Sequence, residues 1–486
     1  MRRLLCLAVT LLVAAPLLAD DKKSDERPNI LFCIADDWGG WSHAGVLGDK
    51  VLKTPTFDSI ARHGVLLNYT YVPSPSCTPC RGGILSGQAI HRLGTGGNLW
   101  SRWPDKIKVY PDILEEAGYV VGYERKAWGP GSAPGRSRNP AGNKFKNFQA
   151  FLNKLPQGKP FCFWSGSSDP HRGYAKGSGA RAGMDPAEVD VPPWLPDTPE
   201  IRNDILDYYF EVNRFDRDIG QRLAQLKAAG KLDNTIVIMT GDHGMPFPRG
   251  KCNLYDSGAR VPFAVQWPAR IKAGRVVDDF ISFTDIAPTL LEAAGLKPLP
   301  EMTGRSFLDV LLSDRSGRVD PSRDKVFVER ERHAICRPDS QSYPVRMIRT
   351  HDFMYIRNLR PNLWPSGDPD IFRDVDGSPT KTEILGKRDD PKIAPFFKLA
   401  FGKRPAEELY DLSKDPAQIN NVAGKPQYAE VQKKLRAELD KWMAETKDPR
   451  AKGETDFWDK THYYGAGGGG IPLNLSTSFP HHGHRP

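Results

Sequence analysis

Five short runs in the first two thirds of the chain are apolar almost without interruption. They are Asn29–Ala35 and residues 161–165, 235–240, 261–266 and 325–329. Continuous rather than alternating runs of this length predict strands buried on both faces, as in a parallel sheet. Between Asp204 and Leu226, the residues Ile205, Tyr208, Val212, Phe215, Ile219, Leu223 and Leu226 recur at steps of three and four. That spacing predicts one face of a long helix packed on the sheet, with Gly230 just past its end as a cap. After about residue 340 the texture changes. Residues 347–348 and 353–356 predict antiparallel strands joined near His351 and Asp352. Val431, Leu435, Leu439 and Met443, at steps of four, predict a final helix over 428–445. The pattern is that of an α/β protein: a large domain over 28–338 with a mostly parallel central sheet sandwiched by helices, then a smaller α+β subdomain over 339–450 with a short antiparallel sheet.

The chain ends add two segments of another kind. Arg2 and Arg3 precede an apolar stretch over residues 4–18, which suits a signal peptide over 1–19 cleaved after Ala19. The expectation is an exported protein, periplasmic or secreted. No other segment approaches about 18 uninterrupted apolar residues, so stable membrane insertion is not expected. Residues 451–486 carry G-A-G-G-G-G and H-H-G-H and predict a flexible tail. Lys and Arg number 68 and Asp and Glu 59, a formal +9, and losing Arg2 and Arg3 lowers it to +7. A basic surface fits nucleic acid, lipid headgroups or acidic glycans; export turns it away from cytoplasmic nucleic acid. Six cysteines remain after Cys6 is removed, in spacings that form no small-domain disulfide framework. Cys33 and Cys162 lie in apolar runs and read as core residues.

Ligands of open parallel α/β sheets bind at the carboxyl ends of the strands, and several chemically potent residues fall there. Asp36 and Asp37 follow the first strand. Adjacent carboxylates repel unless a cation lies between them, so the pair suggests a hard divalent metal, against the alternative of a solvated turn. Asp242 and His243, in T-G-D-H-G-M, follow the 235–240 run and offer further ligands, although His243 alone equally fits a structural histidine. Cys77 opens C-T-P-C-R-G-G-I-L-S-G, with Pro79 suited to the first turn of a helix. Cys77 then sits at the positive end of a helix dipole with Arg81 one turn on, a setting that activates a thiolate or holds an anion. A Cys77–Cys80 redox pair and a zinc half-site are the alternatives. Lys126, His171 and Lys251 each follow a strand candidate or an acid pair. Singly each is a surface charge or a cap; together they set cations around a centre that would hold a tetrahedral anion and its leaving group.

In order, D-D after the first strand, C-x-P-x-R, G-Y-x-x-G-x-x-x-K, D-P-H, D-H-G and a following Lys resemble the type I sulfatases of the alkaline-phosphatase-like superfamily. The segments T-G-D-H-G-M-P-F-P-R-G-K-C-N-L-Y, S-Y-P-V-R-M-I-R-T-H-D-F-M-Y-I-R-N-L and E-L-Y-D-L-S-K-D-P resemble the heparan N-sulfatase (sulfamidase) branch. The resemblance covers about residues 28–449. It implies that Cys77 is converted to Cα-formylglycine by a formylglycine-generating enzyme, and that its hydrate is the nucleophile. It implies calcium held by Asp36, Asp37, Asp242, His243 and the modified Cys77. Arg81 and Lys126 would stabilise the diol and the sulfuryl charge, and His171 and Lys251 would face the leaving group. The implied substrate is a sulfated carbohydrate, in first place N-sulfoglucosamine of heparan-type chains. An O-sulfatase on another polysaccharide, a phosphoester or phosphonate hydrolase, and a non-catalytic glycan-binding protein are the other readings. Cys80 stands where the family carries Ser, Trp128 where many members carry His, and Lys251 where sulfamidases carry Arg.

Overall fold

The computed structural model describes residues 27–40, 43–453 and 455–465. The signal peptide expected over 1–19 and the chain beyond residue 465 lie outside them. The main sheet is built from β1 (Asn29–Ala35), β2 (Val65–Tyr71), β3 (Val120–Glu124), β4 (Asn143–Lys144), β5 (Phe161–Gly166), β6 (Thr235–Gly241), β7 (Phe263–Gln266) and β8 (Arg275–Ser282). Their spatial order is β8-β2-β7-β6-β1-β5-β3-β4. All neighbours pair in parallel except β7, which runs antiparallel to both β2 and β6. β1, β5 and β6 are buried along their whole length, as the continuous apolar runs require of strands covered on both faces.

Helix α1 (Cys77–Ser86) is wholly buried. Helix α2 (Pro199–Ala228) starts where the Thr198 hydroxyl accepts from the Ile201 N–H and Pro199 fills the first turn. Its buried face includes Ile205, Tyr208, Val212, Phe215, Ile219 and Leu226; each such large side chain contributes about 1.5–3 kcal/mol by leaving water. Gly230 takes the left-handed conformation expected of a residue ending the helix.

A second sheet joins β9 (Lys325–Arg330), β10 (Val345–Thr350), β11 (Phe353–Asn358) and β12 (Glu407–Asp411), antiparallel throughout. Helix α3 (Ala429–Glu445) covers one face through Leu435, Leu439 and Met443. Residues 325–329, read from sequence with the parallel strands, are therefore the edge of this smaller sheet, which begins ahead of residue 338. Residues 455–465 do not follow the flexible-tail expectation. Trp458 is fully buried, and Asp459 binds Ser342 and Arg360. Among the described residues no helix is long and apolar enough to cross a membrane.

Candidate active site

β1 and β6 are parallel neighbours with Ala35 opposite Gly241, so Asp36-Asp37 and Asp242-His243 leave the sheet side by side. The Asp37 N–H donates to Asp242 Oδ1 at 2.9 Å and ties the two strand ends together. Two glycines let the loops come this close. A Cβ on Gly241 would lie 1.7 Å from the Trp38 carbonyl oxygen, and one on Gly166, at the end of β5, 1.7 Å from that of Lys126. Only a residue without a side chain admits such contacts.

Cys77, the first residue of α1, enters from the opposite side. Its Sγ lies 3.3 Å from His243 Nε2 and 3.5 Å from both Asp36 Oδ1 and Lys126 Nζ. One turn on, the fully buried Arg81 donates to Asp242 Oδ2 (2.8 Å), Asp36 Oδ1 (3.4 Å) and the carbonyls of Lys126 and Ala127. Lys126 Nζ reaches Asp36 Oδ2 at 2.5 Å, and Lys251 Nζ reaches Asp37 Oδ2 at 2.9 Å. His171 Nε2 is 3.9 Å from Asp37 Oδ2. Its Nδ1 faces the Arg172 carbonyl at 2.6 Å, so that nitrogen carries a proton. All nine residues singled out in the sequence thus converge on one centre. Cys80 points away, its Sγ donating to the Asp242 carbonyl at 2.7 Å, and the six described cysteines are free thiols.

The electrostatics are those of opposed buried charges. Burial alone would raise the Asp36 carboxyl, but Lys126, with His171, Arg81 and Lys251, holds it well below the usual carboxylate range. Burial would likewise lower Lys251, but Asp37 and Asp376 hold it well above the usual ammonium range. Burial, reinforced by Asp36 and opposed by Lys126, pushes the Cys77 thiol well up, so an unmodified Cys77 is a poor thiolate. The donor set also fits a hard cation. The ligand atoms of Asp36, Cys77, Asp242 and His243 lie within 4.8 Å of one another. His243 Nδ1 faces the Gly244 carbonyl at 3.2 Å, which turns a lone pair on Nε2 into the cluster. Asp37 Oδ1, 3.3 Å from that nitrogen, is buried without a hydrogen-bond partner. Carboxylate oxygens gathered in this way are ligands for a divalent metal.

The centre opens into a cavity of about 910 Å³. Its walls carry residues that the sequence reading missed: Asp376, which receives Lys251 Nζ at 3.1 Å, and also His333, Arg373 and Glu211. Burial, with Lys251 adding to it, pushes the His333 imidazole down to about 3, while its Nδ1 bonds the Ser76 hydroxyl. Burial pushes Glu211 up to about 7, against Arg214. Residues 361–395 supply Arg373 and Asp376 to this wall. The loop over 174–194 lies elsewhere and lines a separate groove through residues such as Val189 and Trp194.

A mostly parallel sheet whose strand ends present buried acids, with a ring of cations about a helix-borne Cys77, defines a hydrolase of tetrahedral anions on the alkaline-phosphatase-like fold. The chain belongs to the sulfatase family: the Sulfatase family model matches residues 28–296, and the model described as N-sulphoglucosamine sulphohydrolase, C-terminal, matches residues 241–362. It is similar to human N-sulphoglucosamine sulphohydrolase, 30% identical over 476 residues that span 87% of this chain and 91% of that protein. It is also similar to an ulvan-active sulfatase of Formosa agariphila, at 28% identity over 91% of this chain and 79% of that one. An N-acetylglucosamine-6-O-sulfatase of Bacteroides thetaiotaomicron is 22% identical over 88% of each. Among solved structures, a protein bound to its substrate D-glucosamine-2-N,6-O-disulfate superposes with a TM-score of 0.65 at 20% identity, covering 88% of this chain and all of that one. A Pseudoalteromonas sulfatase gives 0.60 at 18% identity over 88% and 92%. The protein is accordingly a sulfatase, an enzyme hydrolysing sulfuric esters or sulfamates.

Proposed function

We propose that this sulfatase removes sulfate from N-sulfoglucosamine of heparan-type chains, with Cys77 matured to formylglycine and calcium held by Asp36, Asp37, Asp242, His243 and the modified Cys77. The observation that carries the reading is the orphaned buried Asp37 Oδ1 facing His243 Nε2, with the Cys77 side chain against both acid pairs. Calcium held by these residues would supply a Lewis acid, and a hydrated formylglycine at position 77 would supply a hydroxyl nucleophile with a second hydroxyl as the route of release. The other residues prepare that exchange. Lys126 and Arg81 place positive charge beside Cys77, where the sulfuryl oxygens gather negative charge in the transition state. Lys251 and His171 lie on the Asp37 side, toward the leaving group. His171, fixed through Nδ1, presents Nε2 as the general acid. The proposed calcium ligands and catalytic residues coincide with the residues chosen from sequence.

Maturation requires a formylglycine-generating enzyme, and the proposed location is periplasmic or secreted, after removal of residues 1–19. The proposed catalytic domain spans 28–338 and the α+β subdomain 339–450, with β9 exchanged into the smaller sheet. A second reading, O-sulfate hydrolysis on another polysaccharide, is favoured by the similarity to an ulvan-active sulfatase and to an N-acetylglucosamine-6-O-sulfatase. Assay of N-sulfated glucosamine beside its O-sulfated isomers decides between the two. Release from the N-sulfated sugar is expected; release only from the isomers overturns the first reading.

A further inference from the structure

Part of the cavity wall comes from a segment outside both matched family regions, which end at residues 296 and 362. Residues 455–465 bring Tyr463 into the cavity wall and are anchored by a set of hydrogen bonds. Trp458 Nε1 donates to the Gly94 carbonyl at 3.1 Å, and Asn98 Nδ2 donates to the Trp458 carbonyl at 2.9 Å. Arg332 donates to the carbonyls of Asp459 and Thr461 at 3.0 and 2.5 Å. The segment ends against Trp100. The Tyr464 N–H donates to the Trp100 carbonyl at 2.7 Å, and a Cβ on Gly465 would lie 3.0 Å from the Trp100 ring.

Trp100 and Tyr463 are both half-buried and both line the cavity that holds Cys77, Lys126 and Lys251. Their rings lie 6.4 Å apart at 52°. Trp100 has φ of 51°, a left-handed conformation that is a genuine outlier for a bulky side chain and costs of order 1–3 kcal/mol. The fold thus retains a strained, partly exposed indole at the mouth of the active site. Two guanidinium groups line the same cavity: Arg125, which pairs with Asp218 at 2.9 Å, and Arg373. At about 910 Å³ it lies near the upper end of the roughly 300–1,000 Å³ that suits drug-sized ligands, more than one monosaccharide fills.

We infer that Trp100 and Tyr463 form a second sugar subsite, which takes the acidic pyranose ring next in the chain to the sulfated residue. An aromatic face covers the C–H face of a pyranose, and the two arginines suit a carboxylate or second sulfate on that ring. This inference rests on the proposed action on a sulfated glycan and adds a substrate of at least two sugars.

The test uses the full chain carrying Cys77→Ala, so that bound sugar is not consumed. Calorimetry gives the affinities of sulfated mono-, di- and tetrasaccharides prepared from heparin and from ulvan. The preference for tetrasaccharide over monosaccharide is expected to fall at least tenfold on adding Trp100→Ala or Tyr463→Ala, and to return with Trp100→Phe. Thermal midpoints identify any variant that fails to fold, and Tyr463→Ala then carries the test. An unchanged preference in the folded variants, or no preference for length in the parent, overturns the subsite. Sulfate release by the matured wild-type enzyme is measured on the same sugars. If none is released while the length preference still depends on Trp100, the sulfatase reading falls and the subsite stands.

Discussion

Replacing Lys251 by Met removes an ammonium that bridges Asp37 to Asp376. Its Nζ lies 2.9 Å from Asp37 Oδ2 and 3.1 Å from Asp376 Oδ2, and its side chain is 6% exposed. At these distances each contact amounts to about 5–6 kcal/mol at an effective dielectric of about 20, before the cost of burial. Met keeps most of the volume but leaves Asp37 and Asp376 without the ammonium they share. Breaking a buried pair on one side costs about 3–5 kcal/mol, so the thermal midpoint falls. On the catalytic side, loss of one preorganised charge lowers kcat by about 10²–10³. The assay is sulfate release under saturating and limiting substrate, with the midpoint from calorimetry. Because Lys251 is held above the ordinary ammonium range, Lys251→Arg keeps the charge and recovers part of both quantities. A Lys251→Met enzyme within threefold of wild-type kcat/KM and with an unchanged midpoint would refute the argument.

Chelation with EGTA is expected to lower the thermal midpoint and abolish sulfate release, with both restored by calcium rather than magnesium, since binding to the folded state alone stabilises it. No change in midpoint would remove the metal. Burial alone would lower the His91 imidazole, but Glu329, 2.8 Å away, raises it above 6.5. A raised folded value means that the stabilisation is complete below about pH 6.5 and is lost as pH rises through the folded value. The loss amounts to about 1.4 kcal/mol for each pH unit by which the folded imidazole titrates later than the unfolded one. The thermal-midpoint difference between wild type and His91→Gln should therefore be larger at pH 6 than at pH 9; a difference independent of pH contradicts it.

The nine central residues were legible because a parallel sheet delivers its chemistry immediately after its strands. Asp36, Lys126, His171 and Asp242 all follow apolar runs by a few positions, and Cys77 opens a helix marked by Pro79. The cavity walls were not legible. Asp376, His333 and Trp100 come from loops with no periodic signal, brought to the site by contacts such as Lys251–Asp376. Strand direction was also hidden: the apolar run of β7 looks the same whether parallel or antiparallel. β2 and β8 escaped notice because Asn68 interrupts one and Asp278-Asp279 the other, and these polar residues pair across the sheet, Asn68 Nδ2 donating to Asp278 Oδ1 at 2.8 Å. Trp458 shows why composition misjudged the C-terminus. A buried indole and its neighbours anchor residues 455–465 ahead of the glycine run.

The proposed chemistry requires Cys77 to work as an aldehyde hydrate rather than as a thiol. Its most direct test is the mass of the Cys77-containing peptide from active enzyme isolated from its native source. The expected mass is that of formylglycine, with the fraction converted tracking specific activity across preparations. Full activity in a preparation whose Cys77 is entirely unmodified cysteine would contradict it.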